Sequence, residues 1–264
     1  MSISVVLVLA GCSSISDGRV HEAETASVAP TPAVTEEQIS EIELGNGHLT
    51  FEVPESWHAE FEDLTAALET DPTVPEFNGQ SAQRAVISNP DETVHVDVFT
   101  NLPWPDLVAV DVDERELLHA EPLDIGYEPS EEGYGMWVRA VIGENPEFTG
   151  KLPTFGMYNE RFAGERYVLV VAPYFAKADL GPPDEVDGGM TAFRFPFSED
   201  TAGAWWDESI TVAAGAIKQS SAEELTGAEG LDAMRAVVET EEFEQLLEVM
   251  RSFRVHVEGA EPQG

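Results

Sequence analysis

The sequence predicts an α+β fold: an antiparallel sheet of about six or seven strands with helices packed on it. Three observations carry this expectation. Apolar residues alternate with polar ones at a period of two along most of the chain, helical spacing is confined to its late part, and nothing repeats at a period of 20–50 residues. Strands grouped ahead of helices point to an antiparallel sheet with helices on its face, where alternating strands and helices would have pointed to a parallel one.

The folded part is expected to open near residue 44. Gly45-Asn46-Gly47 lacks a third glycine and precedes a strand, so it reads as a turn and not as a phosphate loop. Leu49, Phe51 and Val53 then alternate until Pro54 ends the run. The same period returns at Val94, Val96 and Val98, from Met136 to Ile142, and from Met157 to Ala172 around an Ala163-Gly164-Glu165 turn. It recurs at Phe193, Phe195 and Phe197, and closes at Phe253, Val255 and Val257. Pro105 to Ala120 is ambiguous: Val108, Val110 and Val112 alternate like a strand, whereas Glu114 to His119 looks helical. Helical spacing places Trp206, Ile210, Ala213 and Ile217 on one helix face and Phe243, Leu246, Leu247 and Met250 on another. Ser221-Ala222-Glu223-Glu224 has capping-box spacing, and Glu241 and Glu242 sit where acids favour a helix N-terminus.

Ahead of this domain, Ile3 to Leu9 form an apolar run followed by Ala10, Gly11 and Cys12. The run is far shorter than the roughly 20 residues that cross a bilayer as a helix, and its small-residue end reads as a cleaved signal segment over residues 1–11. Leu9-Ala10-Gly11-Cys12 resembles the lipobox of prokaryotic lipoproteins, which implies diacylation of the Cys12 thiol and cleavage just before it. Two acyl chains suffice for stable anchoring, so the expected address is the outer face of the cytoplasmic membrane. A buried cysteine in a cytosolic protein is the alternative, and it leaves the apolar run unexplained. Basic residues are missing before that run, so the natural start is expected upstream. Residues 12–43, rich in Ser, Ala, Thr, Pro and Glu, read as a disordered tether with a reach on the order of 30 Å. One globular domain is expected over 44–258, with a disordered tail over 259–264.

Acids outnumber bases 51 to 13, giving a net charge of -38 spread from Glu22 to Glu261. Such a field excludes nucleic acid as a partner and repels anionic head groups. It fits either capture of cations and basic partners or a solubilising surface. Cys12 is the only cysteine, so no internal disulfide forms and packing must hold the fold.

No catalytic motif emerges. There is no G-x-S-x-G or S-x-x-K, and the one thiol is assigned to lipid. The six histidines, His21, His48, His58, His95, His119 and His256, stand singly, without zinc-site spacing. Asp111 to Glu114 and Asp184 to Asp187 bunch carboxylates but lack the spacing and glycine of a calcium loop. No cofactor or metal is therefore expected. A glycosidase-type carboxylate pair is defined by distance in space and leaves no sequence signature. Trp104, Trp137, Trp205, Trp206 and Tyr174, with Phe175 beside it, are candidates to line a ligand groove, with the Pro173–Gly189 loop over it as a lid. Core packing accounts for the same rings equally well.

The first strand ending in Val53-Pro54-Glu55-Ser56-Trp57, and the closing run from Glu242 to Val255, E-F-E-Q-L-L-E-V-M-R-S-F-R-V, complete a pattern with the lipobox and tether. Together they resemble the PsbP-like domains of photosystem II extrinsic proteins and of actinobacterial lipoproteins of the LpqN and LpqT type. The resemblance covers the two ends of the domain and carries no catalytic residue. It implies a non-enzymatic binding or accessory domain whose partner is an envelope protein, a glycan or a small apolar ligand. The alternatives are a carboxylate-dependent envelope hydrolase and a cation-binding surface protein.

Overall fold

A computed structural model describes residues 38–45, 47–70, 81–102, 113–126, 134–145, 148, 162–177, 193–195 and 210–256. Residues from Glu37 onward form one unit, and its described part holds eleven strands in two antiparallel sheets.

The smaller sheet has the order β1-β2-β11. Its strands are β1 (Ile39–Leu44), β2 (Leu49–Pro54) and β11 (Arg254–Val255). Gly45 and Gly47 take φ of 62° and 86° in the turn between β1 and β2, a left-handed region open to glycine at little cost. Strand β1 corrects the expected tether boundary. A disordered tether through Glu43 is not what the chain adopts there: Ile39 to Leu44 pair residue by residue with Pro54 back to Leu49. Ile42 and Leu44 are buried while Glu41 and Glu43 between them are exposed. Of the expected closing strand, Arg254 and Val255 pair with Thr50 and Leu49, Val257 lies outside the described residues, and Phe253, just ahead of the strand, stacks on Phe51 at 4.6 Å between ring centroids.

The larger sheet runs β3-β4-β5-β10-β8-β7-β6, with β9 pairing the start of β10. Its strands are β3 (His58–Asp63), β4 (Gln83–Ser88), β5 (Val94–Leu102), β6 (Asp113–Pro122), β7 (Tyr134–Glu144), β8 (Tyr167–Lys177), β9 (Phe193–Phe195) and β10 (Ile210–Lys218). A short helix, α1 (Thr65–Thr70), follows β3. Two expectations are overturned here. Glu114 to His119, which looked helical, belongs to β6, where bulges near Arg115 and Leu118 break the alternation. Ile210, Ala213 and Ile217 lie on a central strand and not on a helix. A strand covered on both faces loses its polar alternation, so its apolar spacing mimics a helix. Trp206 lies outside the described residues.

Three late helices cover one face of this sheet: α2 (Gln219–Thr226), α3 (Gly230–Ala236), continued by a 3₁₀ turn (Val237–Glu239), and α4 (Glu241–Arg251). Phe243, Leu246, Leu247 and Met250 of α4, the stripe read from the sequence, join Val96, Val98, Val138, Ala140, Leu169 and Ile217 in one apolar core. Gly215 permits this close approach, since a Cβ there would overlap Leu246 Cδ1 and stand 3.1 Å from its Cγ. Thr240 caps α4 by accepting from the Phe243 N–H, with Glu241 and Glu242 in the first turn. The capping box expected at Ser221 does not form, because α2 begins two residues earlier, after Lys218. Glu165 caps that helix from across the fold, accepting from the Ser220 N–H at 3.0 Å and its hydroxyl at 2.6 Å.

Acids on β6 tie the helices to the sheet edge. Glu116 accepts from Arg235 of α3, and Glu121 from Arg251 of α4, each through both carboxylate oxygens. The Arg251 hydrogen bonds hold the Glu121 carboxyl below its ordinary range, against the opposing effect of burial.

Candidate functional site

The sheet face opposite the helices carries the polar and aromatic side chains that the core does not use. Alternation along each strand assigns residues to it: His95, Asp97 and Phe99 of β5; Ala214 and Ala216 of β10; Val170, Ala172 and Tyr174 of β8; Trp137, Arg139 and Val141 of β7. The centre of this face is buried, down to Arg139 at 1% exposure and Asp97 at 3%.

Of the five residues expected to line a groove, the structure brings two together. Trp137 and Tyr174 are cross-strand partners on β7 and β8. The Arg139 guanidinium lies over the Tyr174 ring, 4.0 Å from its centroid, in cation–π geometry. The Trp137 indole N–H is buried, and among the described residues it has no acceptor. The Pro173–Gly189 lid begins in strand β8, which runs through Lys177 and so is not a loop there; residues 178–189, Trp104, Trp205 and Trp206, and Leu9, Ala10, Gly11 and Cys12 lie outside the described residues.

At the other end of the same face a polar pocket forms where the first three strands run as a meander. Register aligns His58 with Ser88 and Ser88 with His95, and in the next row Glu60 with Val86. A cavity of about 280 Å³ opens over these rows, walled further by Glu92 from the β4–β5 turn and Lys218 from the end of β10. His95 and Val86 form its inner part, while His58 and Glu60, hydrogen-bonded at 3.3 Å, sit on its rim. The turn that presents Glu92 is braced from inside. Buried Asn89 accepts from the Val94 N–H at 3.0 Å and donates to Thr93 Oγ1 at 2.7 Å, while Glu92 itself takes φ of 54°. A left-handed conformation at a non-glycine costs about 1–2 kcal/mol.

Sequence spacing missed this pocket because its members come from four strands. Each histidine stood alone along the chain, and only the β3-β4-β5 order brings His58 and His95 into one row. The remaining described histidines serve elsewhere: His48 and His256 bridge β2 and β11, and His119 lies edge-on to Phe243. Among the described residues no group of histidines and acids is arranged to hold a metal. Asp111 and the Asp184–Asp187 cluster lie outside those residues. A larger cleft, about 450 Å³, lies between β2 and α4 and includes Arg251 and Ser252. Both are already bound within the fold, Arg251 to Glu121 and Glu244 and Ser252 to Glu52.

No protein-family model matches this chain, and no curated protein matches it. Among solved structures, the Ran-binding protein Mog1p of Saccharomyces cerevisiae aligns over 83% of this chain and 96% of its own, at 14% identity and a TM-score of 0.32. A likeness at that level bears on neither the fold nor the function of this chain.

Proposed function

We propose that this chain is an exported lipoprotein, anchored through a diacylglyceryl group on Cys12 at the outer face of the cytoplasmic membrane, whose α+β domain is a non-enzymatic binding or accessory module of PsbP-like type. The observation that carries the reading is the Leu9-Ala10-Gly11-Cys12 sequence, ending on the only cysteine of the chain directly after a short apolar run. Two facts support the binding role. The sheet face away from the helices holds a polar pocket, and no catalytic motif accompanies it. Among the described residues no helix is long and apolar enough to cross a membrane.

The test is Cys12→Ala in a prokaryotic host. The parent chain incorporates labelled palmitate and sediments with membranes, and the variant does neither while its domain melts at the same temperature. Membrane retention of the variant overturns the anchor.

One observation favours a second reading, a carboxylate-dependent envelope hydrolase: Glu60 and Glu92 line the same pocket. That reading requires turnover of a chromogenic glycoside that disappears in both Glu60→Gln and Glu92→Gln. Turnover that persists in either variant refutes it.

A further inference from the structure

We infer that the pocket between β3, β4, β5 and β10 binds a small zwitterion, an α-amino acid or the paired termini of a short peptide, with its carboxylate at Lys218 and its ammonium group at Glu60 and Glu92. The inference deepens the binding reading by naming a ligand class, and it is independent of the lipid on Cys12.

Its basis is where the uncommitted polar groups lie. Nearly every described arginine is engaged: Arg84 with Asp97, Arg115 and Arg166 with Glu144, Arg235 with Glu116, Arg251 with Glu121, and Arg254 with the Asp124 carbonyl. Arg139 lies on Tyr174. Lys218 differs, because among the described residues its ammonium group has neither an ion pair nor a hydrogen bond, and it faces the pocket. The Ser88 hydroxyl and the Glu92 carboxylate are likewise without a partner, and they face the same cavity. Donors and acceptors left open on one concave surface are what a ligand replaces water on.

Charge then selects among ligands. A net charge of -38 repels a simple anion before it reaches Lys218. A simple cation would satisfy the glutamates and leave Lys218 opposed. A molecule with both charges meets each group and is neutral to the long-range field. The polarity is laid out along the sheet. Lys218 is on β10 and Glu60 on β3, three strand spacings away, or about 14 Å between backbones. Both residues line the pocket, and the length of their side chains narrows that distance to a span suited to one or two residues of peptide. The volume, about 280 Å³, is at the small end of ligand sites, roughly 300 Å³ and upward.

The experiment is calorimetric titration of the full-length protein in detergent with glycylglycine, N-acetylglycylglycine and glycylglycinamide. Glycylglycine is expected to bind saturably in the millimolar range or tighter. Each blocked dipeptide should bind at least about tenfold more weakly, the loss of one charge-assisted contact. Lys218→Gln should weaken glycylglycine by a similar factor and leave the melting temperature unchanged, and Ser88→Ala, which touches no ion pair, provides a second variant. Absence of saturable binding overturns the inference. So does equal affinity for a blocked dipeptide, or affinity unchanged in both variants. The Cys12→Ala outcome is unaffected by any of these results, so the two readings fail separately.

Discussion

Gly215 offers a test of how the late helices meet the sheet, because the expected effect changes sign with the background. The residue lies on β10 in extended backbone, and a methyl group added there would overlap Leu246 Cδ1, a side chain fully buried on α4. Gly215→Ala alone gains about 0.4–1 kcal/mol from a less flexible unfolded chain. It loses about 1–3 kcal/mol from overpacking. The net expectation is destabilisation of about 1–2 kcal/mol. Leu246→Ala alone empties a core position at a cost of about 2–5 kcal/mol. In that background the added methyl enters vacated space, the clash disappears and the entropic gain remains, so Gly215→Ala should stabilise by up to about 1 kcal/mol. The coupling, about 2 kcal/mol, is within the range for residues in contact. Urea unfolding of the four proteins, with comparable m-values, measures it. Equal destabilisation in both backgrounds would show that α4 does not pack on β10 as described.

Three further outcomes follow from ionised groups and backbone. Glu144 is buried between the half-exposed Arg115 and Arg166. Replacing both arginines by Met strands a buried carboxylate and should cost about 3–5 kcal/mol. Glu144→Gln leaves two solvated cations and should cost about 1 kcal/mol; the reverse order in denaturation midpoints refutes the assignment. Hydrogen bonds from Arg251 lower the Glu121 carboxyl, and those from Gln219 and the Gly230 N–H lower Glu223, each from an ordinary 4.5. Their stabilisation is complete above about pH 4.5 and is lost as pH falls through the lower folded values. A urea midpoint that falls toward acid should therefore fall less in Glu121→Gln, and identical acid slopes would contradict the ion pair. Glu92→Gly relieves the left-handed backbone and should stabilise by about 0.5–1 kcal/mol while weakening glycylglycine, a combination that thermal melting and titration together would confirm or exclude.

The parts of the fold legible in sequence are those where one face is apolar and the other polar. Leu49, Phe51 and Val53 announced β2, Val94 to Val98 announced β5, and the stripe from Phe243 to Met250 announced α4. The pattern failed at both extremes of burial. Strand β3 is a sheet edge on which Phe61 is exposed and Ala59 is only half-buried, so no inward residue marks it. Strand β10 is central, and its Ala213, Ala214 and Ala216 are buried regardless of face. Strand β4 was missed for a local reason, because Arg84 and Val86 on its outward face flank Ala85, whose methyl is too small to signal a core position. The groove residues were legible as aromatic types, and the pairing of Trp137 with Tyr174 required the β7–β8 register.

The scarcity of basic residues also shapes how this protein meets its surroundings. With 13 bases against 51 acids, the ion pairs that hold β6 to α3 and α4 and those that steady buried Glu144 take up four of the few described cations, Arg235, Arg251, Arg115 and Arg166. The uncompensated carboxylates are left on the surface, where their mutual repulsion opposes compaction and weakens as salt screens it over about 10 Å at 0.1 M. The pairs made by a buried acid, at Glu144 and Asp97, are screened less. Moderate salt should therefore stabilise this domain, the opposite of the trend for a protein held mainly by exposed ion pairs. Lys218, left uncommitted in that setting, carries more discriminating power at its pocket than a lysine on a charge-balanced surface, since among the described residues no other lysine or arginine lines that pocket.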